Sequence, residues 1–267
     1  MPYMDDLLSA LLLAMAAIAL LSILTWLISL HYKDASLVDR VWGLLFMAGA
    51  WAAVFYAGFQ APRTALLLVL VSVWAIRLSV YLSWRNWGAG EDYRYREMRD
   101  RRPELFAVWS LVWVFGLQAV LAFFVALPLT IAIAHPGQAP LGWLDALGVA
   151  LFIIGFGFET IGDGQLARFK AQPANKGKVM DRGLWRYTRH PNYFGETMLW
   201  WGMFLVAAGT PWGIYTVLSP VVMTALIIKV SGVAMLERTI TERRPDYRAY
   251  IERTSAFIPW PPKKSAG

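Results

Sequence analysis

RGLWRYTRHPNYFGE, residues 182–196, runs without a break into TMLWWGMFLVAAG, residues 197–209. The first stretch holds Arg182, Arg186, Arg189 and His190 with two tyrosines; the second carries no charge. A dense cationic loop that turns abruptly apolar marks the entry of a helix into a membrane. Pro191 suits the first turn of that helix, where its missing N–H is not needed. Asn192 and Glu196, four apart, share one helix face. A positive-inside loop with an aromatic anchor accounts for the arginines and Trp185. It does not account for Asn192, Tyr193 and Glu196 at the mouth of a span, where polar and ionisable groups usually serve function.

Composition agrees. The 267-residue chain is 58% hydrophobic and 16% charged, with 14 Trp, 14 Phe and 11 Tyr, which is a polytopic membrane profile. There is no cysteine, so disulfides and thiolate chemistry are excluded. The start, MPYMDDLL, is acidic and does not read as a cleaved signal; the first span serves for insertion. His31, His135 and His190 are too scattered for a metal site.

Apolar runs occupy 7–30, 41–58, 64–84, 105–134, 143–162, 192–208 and 212–235, and 41–58 and 192–208 are marginal in length. The segments 31–40, 85–104, 163–191 and 236–267 carry 22 of the 25 Lys and Arg, whereas 59–63, 135–142 and 209–211 together hold only Arg63. That alternation predicts an all-α protein of about seven spans, N-terminus outside and C-terminus in the cytoplasm. It also explains the net charge of +7 without nucleic acid. With no repeat and no low-complexity tract, the chain reads as one domain, 1–267.

The stretch 183–196, GLWRYTRHPNYFGE, resembles the shared C-terminal signature of a superfamily of membrane enzymes. Steroid 5-alpha-reductases, sterol reductases and isoprenylcysteine carboxyl methyltransferases belong to it. Gly183, Trp185, Arg189, His190, Pro191 and Tyr193 are common to the methyltransferases and many bacterial relatives, whereas Asn192, Tyr193, Gly195 and Glu196 are closer to the 5-alpha-reductases. The likeness extends to Asp163 and to DYRAYIERTSAFIPW, residues 246–260, and is weak before residue 155. It implies a seven-helix fold that binds NADPH from the cytoplasmic side.

Phosphate chemistry points the same way. A pyrophosphate and a 2′-phosphate need several cations, and no Gly-x-Gly-x-x-Gly is present to make a Rossmann site. Arg168, Lys170, Lys178, Arg182 and Arg189 can supply the charges, with His190 at a phosphate. Asn192 and Glu196, with Tyr193 beside them, suit the nicotinamide amide or ribose, and Asp163 an adenine or ribose group.

Two further groups lie in the first half. Arg77 and Tyr81 share a helix face, followed by Arg85 and Asn86. The resemblance implies that Arg77 and Asn86 meet the cofactor; the plainer reading of Arg77 is a snorkelling cation. The segment 91–102 mixes acids with bases and suggests a loop ordered by pairs of Glu91 or Asp92 with Arg94 or Arg96. In KDASLVDRVWG, residues 33–43, Asp39 stands three residues after Ser36, the spacing of a capping box. The alternative makes Asp39 the catalytic acid. In 5-alpha-reductases a Glu on the second helix works with a Tyr on the third; here that later place falls near Trp74, so Tyr81 or another tyrosine assists.

The expectation is therefore an NADPH-dependent reductase of the C=C bond of a lipophilic enone, such as a 3-oxo-Δ4 steroid. Asp39 and Tyr81 would be catalytic, 1–134 mainly the substrate side and 135–267 mainly the cofactor side. The substrate would enter from the lipid of a bacterial inner membrane, with the cofactor site facing the cytoplasm and no obligate protein partner. An S-adenosylmethionine-dependent methyltransferase is the alternative, and a small-lipid transporter a more distant one, since no inverted repeat is present.

Overall fold

A computed structural model describes residues 2–59, 61–135, 139–230 and 247–263, and among them every regular element is helical. In chain order they are α1 (Pro2–Tyr32), α2 (Leu37–Ala57), α3 (Pro62–Arg85), α4 (Tyr93–Arg101), α5 (Phe106–Val125), α6 (Leu127–Ala134), α7 (Trp143–Ala171), α8 (Pro191–Ala208), α9 (Leu218–Ala225) and α10 (Tyr247–Arg253). Five of these, α1, α2, α3, α5 and α7, are long and apolar enough to cross a membrane. They correspond to the first five apolar runs. The run 105–134 divides at Ala126, and Pro128 opens α6, where a missing N–H is tolerated. The run 192–208 is the 18-residue α8, and 212–235 begins with the shorter apolar stretch Gly213–Lys229 and continues beyond the described residues.

The chain divides into two compact units, Met1–Asp145 with Met203–Ser219, and Ala146–Gly202 with Pro220–Gly267. In the first, α1 buries a single stripe, Ala10, Ala14, Ile18, Ser22, Thr25 and Ser29, at helical spacing. Its other faces, with Leu8, Leu12, Leu20 and Ile28 about half exposed, suit lipid. Gly49 lets α2 approach that stripe, since a β-carbon there would stand 2.9 Å from Ile18 Cδ1. Gly43 does the same against α3, at 2.9 Å from Ala75 Cα.

The three cation-poor loops of the first unit meet at Arg63. Its guanidinium donates to Asp145 through Nε and Nη2, both at 2.8 Å, and to the carbonyls of Ala139 and Pro140. Both side chains are almost wholly buried. A β-carbon on Gly209 would sit 2.8 Å from Arg63 Nη2, so the third loop also lies against the guanidinium. Such a pair is tolerated in a low-dielectric interior because its hydrogen-bonding capacity is filled on both sides.

In the second unit, α7 and α8 cross with backbone against backbone. A β-carbon on Gly155 would lie 2.5 Å from the Gly195 carbonyl oxygen and the Leu199 nitrogen, and one on Gly202 2.5 Å from the Gly148 carbonyl oxygen. Gly148, Gly155 and Gly162 on α7, and Gly195 and Gly202 on α8, recur every seven residues, so contact persists along one seam. Small residues with close backbones are how helices associate where no water drives them together.

Candidate functional site

Asp39 lies in the first turn of α2, and its carboxylate reaches across the chain to α4. Tyr95 donates its hydroxyl to Asp39 Oδ1 at 2.6 Å, and Arg94 Nη2 donates to Oδ2 at 2.7 Å. Gln118 of α5 donates in turn to the Tyr95 oxygen at 3.4 Å. The capping-box reading of Ser36 and Asp39 is thereby corrected. Ser36 does occupy the N-cap position, but it makes no side-chain cap bond. Its hydroxyl bonds Asp34, whose carboxylate also accepts the Ser36 N–H at 3.0 Å and Arg40 at 3.2 Å. With Asp34 shaping the turn, Asp39 is left to α4.

A tight charge network holds α4 in place. Asp92 caps the helix by accepting the Arg94 N–H at 3.0 Å, and it pairs with Arg94 Nε at 2.8 Å. Glu91 accepts Arg99 through both oxygens, at 2.8 and 3.0 Å, and the Ala35 N–H at 2.8 Å. The expected pairing within 91–102 is thus found for Asp92 with Arg94, while Arg96 bonds the Glu91 carbonyl and Arg99 takes its carboxylate. Arg99 also stands 4.2 Å above the Phe106 ring. Beneath α4, Tyr95 packs with Ala35, Val38, Phe106, Val114 and Phe115.

This setting tunes the groups outside the spans. Burial pushes the Tyr95 phenol well above its ordinary range, and the adjacent Asp39 charge adds to the rise. Burial alone would raise Glu91 and Asp92; the bonds from Arg99 and Arg94 outweigh it and hold both below their ordinary values of 4.5 and 3.8.

On α3, the Arg77 and Arg85 guanidiniums stand 5.2 and 5.6 Å from the Tyr81 ring centre, one helical turn to either side. Asn86 closes α3: its N–H bonds the Leu82 carbonyl, its side-chain oxygen takes Arg85 Nε at 3.1 Å, and its carbonyl takes Arg40 at 3.5 Å.

The second unit gathers the other expected residues. Asn192 Nδ2 donates to Asp163 Oδ1 at 3.1 Å, joining α8 to the buried Asp163 of α7. The Asn192 Oδ1 is buried with no donor, and so is the Thr197 hydroxyl one turn on. His190 stacks on Tyr193, with ring centres 5.6 Å apart and planes 14° from parallel. Glu196 is half-buried, while Arg168, Lys170 and Arg182 are exposed.

Arg189 has a different setting. Its Nη1 donates to the carbonyls of Ile251 and Thr254, at 3.2 and 2.6 Å, at the C-terminal end of α10, where a cation also meets the negative pole of the helix. The tail is fastened along its length: Arg189 N–H to Ser255, the Thr188 hydroxyl to Phe257 at 2.8 Å, the Tyr250 hydroxyl to the Trp185 carbonyl, and Trp260 N–H to Tyr187. Burial pushes the Tyr250 phenol up.

Sequence reasoning missed Tyr95 and Arg94 as partners of Asp39 and Gln118 as the partner of Tyr95, and it missed Glu159. The last is almost fully buried on α7, one turn before Asp163 and at the Gly195 crossing. A carboxylate inside an apolar run was the available signal.

Comparison with known proteins gives two matches. The profile of a family described as a protein of unknown function (DUF1295) matches residues 25–254. An uncharacterized protein of Schizosaccharomyces pombe is 25% identical over 264 residues, covering 88% of this chain and 75% of its own. No solved structure matches.

Proposed function

The chain belongs to the DUF1295 family, and we propose that it is a membrane reductase of the steroid 5-alpha-reductase type, which uses NADPH to saturate the C=C bond of a lipophilic enone. The observation that carries this reading is the Asp39–Tyr95 pair, an acid and a phenol bonded at 2.6 Å at the end of an apolar helix. Tyr95 here takes the part that the sequence resemblance gave to a tyrosine on the third helix.

The residues fit the cofactor. Asn192 Oδ1 is a buried acceptor that lacks a donor, as a carboxamide N–H would require. Arg168, Lys170 and Arg182 are exposed basic residues of the kind that phosphates require. Asp163, Tyr193, His190 and Glu196 complete that set. Arg189 acts through the tail rather than at a phosphate.

NADPH, when bound, supplies a hydride to the β-carbon of the enone. The chain supplies the proton and the electrostatics. The Tyr95 hydroxyl accepts from Gln118 and has one proton to give. While Asp39 is charged, that proton is held on Oδ1. When the pair carries one more proton, Asp39 donates to the Tyr95 oxygen and the Tyr95 proton turns outward to the substrate carbonyl. The negative charge that develops on the carbonyl oxygen is then met by a preorganised donor, usually the largest catalytic contribution. The enolate takes the pair's extra proton at oxygen through Tyr95, the enol tautomerises to carry it on the α-carbon as the saturated ketone, and Asp39 regains a proton from water.

In the membrane we read seven spans, α8 and the run from 212 being the sixth and seventh, with the N-terminus outside, the C-terminus cytoplasmic and a bacterial inner membrane as the site. The convergence of all three cation-poor loops on Arg63 supports that alternation. The test is NADPH oxidation by purified protein in liposomes with progesterone, testosterone and simple enones, with product analysis. Expected are saturated ketones and much weaker binding of NADH. Binding of S-adenosylmethionine without NADPH overturns the reading in favour of a methyltransferase.

A further inference from the structure

Ser79 of α3 is 8% exposed, and its hydroxyl has no hydrogen-bond partner. Four other helix hydroxyls turn back to a carbonyl of the preceding turn: Thr25 to Leu21, Ser29 to Trp26, Ser110 to Ala107 and Thr224 to Pro220. That self-bonding is the ordinary solution for a Ser or Thr inside a helix. Ser79 does not use it.

Its place in the bundle is defined by one close approach. The connection between α2 and α3 is short, so the two helices run antiparallel, and they touch where Gly43 meets Ala75. Asp39 lies one turn before Gly43 on the same face of α2, and Ser79 one turn after Ala75 on the same face of α3. The crossing therefore sets the Ser79 hydroxyl level with the Asp39 carboxylate. Asp39 is already bonded to Tyr95 and Arg94, yet its side chain keeps 26% exposure, so the level of the acid can still be reached. Beyond it, Trp42, Phe46 and Trp74 stand edge to face, with ring centres 4.9 and 5.5 Å apart, and form an apolar wall between the same two helices.

From this we propose that Ser79 is a substrate-binding residue that donates a hydrogen bond to the carbonyl oxygen of a flat, lipophilic ketone. The inference rests on the reductase reading for the identity of the ligand. A carbonyl oxygen has two lone pairs. The Tyr95 proton takes one and the Ser79 hydroxyl the other, while the hydrocarbon lies against Trp42, the one ring of the three that is not fully buried. Two donors fix the oxygen in place, whereas a single donor lets it swing about one bond.

The experiment measures equilibrium binding of tritiated androst-4-en-3-one and of androst-4-ene, which lacks the oxygen, to wild type, Ser79→Ala and Ser79→Thr in detergent. Melting temperatures check that each variant folds. Ser79→Ala is expected to bind the ketone about five- to tenfold more weakly, the worth of one neutral hydrogen bond, with the hydrocarbon unchanged and Ser79→Thr restoring the ketone. Equal losses for both ligands, or no loss for the ketone, overturn the proposal. So does a wild type that binds the ketone no better than the hydrocarbon. A parallel NADPH titration separates the two failures: normal NADPH binding with a negative Ser79 result rejects Ser79 alone, and absent NADPH binding rejects the reductase reading.

Discussion

Tyr95 and Asp39 are 56 residues apart in sequence and 2.6 Å apart in space, and the bond between them joins a charged amphipathic helix to the mouth of an apolar one. The acid thereby gains a phenol as its proton partner and an arginine as its counter-ion.

Removing that phenol separates Tyr95 from Tyr81. Tyr95→Phe is expected to lower turnover of an accepted enone by about 10²- to 10³-fold, the usual cost of losing one donor to a developing oxyanion. Asp39→Asn should act similarly, with NADPH affinity nearly unchanged in both. Tyr81→Phe keeps the ring between Arg77 and Arg85 and should cost far less. The check is kcat with NADPH Kd for the three variants; an equal loss in Tyr81→Phe would return the role to Tyr81.

The α4 network predicts a direction with pH. Glu91 and Asp92 titrate in the fold below their ordinary 4.5 and 3.8, because Arg99 and Arg94 favour the charged forms. Their stabilisation is complete above 4.5 and is lost as pH falls through the lowered folded values. Melting temperature between pH 6 and pH 3.5 should therefore fall less steeply in Glu91→Gln than in wild type (about one carboxyl's contribution).

The glycine seam offers a contrast within one helix. Gly155→Ala drives a methyl to 2.5 Å from the Gly195 carbonyl oxygen and should destabilise by about 1–3 kcal/mol. Gly157→Ala meets open space on the same helix and should be neutral or stabilising by about 0.5–1 kcal/mol. Thermal unfolding in detergent reads both.

Arg189 provides a test of tail against phosphate. Arg189→Ala removes the clamp on the Ile251 and Thr254 carbonyls, so trypsin should cut after Arg253 faster. NADPH and NADH affinities should then fall by the same factor. Arg168→Ala should weaken NADPH selectively. Selective loss of NADPH in Arg189→Ala, with the tail still protected, would make Arg189 a phosphate ligand.

Five helices long enough to cross were legible in sequence because lipid imposes a long apolar run on any helix that crosses it. The partner of Asp39 was not. Tyr95 sits in YRYREMRDR, residues 93–101, whose charges read as a loop ordered by its own acid–base pairs, and its burial comes from Phe106 and Phe115, which only folding brings beneath it. The spacing of Ser36 and Asp39 matched a cap, but Asp34 takes the Ser36 N–H and hydroxyl, while the Asp39 carboxylate is held by Tyr95 and Arg94. Arg189 read as one of several loop cations suited to phosphates, and only the return of the tail reveals the carbonyls it holds. The Asp163–Asn192 meeting was half visible: each residue stood out as polar beside an apolar run, and the glycines that let α7 and α8 approach had no reason to be linked until the seam was seen.

The cluster at Arg63 has a consequence for how such a chain can change over generations. Replacing Arg63 alone strands a buried carboxylate at Asp145, replacing Asp145 alone strands a buried cation, and any side chain at Gly209 collides with the guanidinium. Each one-step route out of the arrangement passes through a poorly folded intermediate. Positions 63, 145 and 209 are thus expected to be inherited as a block, and lineages that abandon the ion pair should show all three altered together.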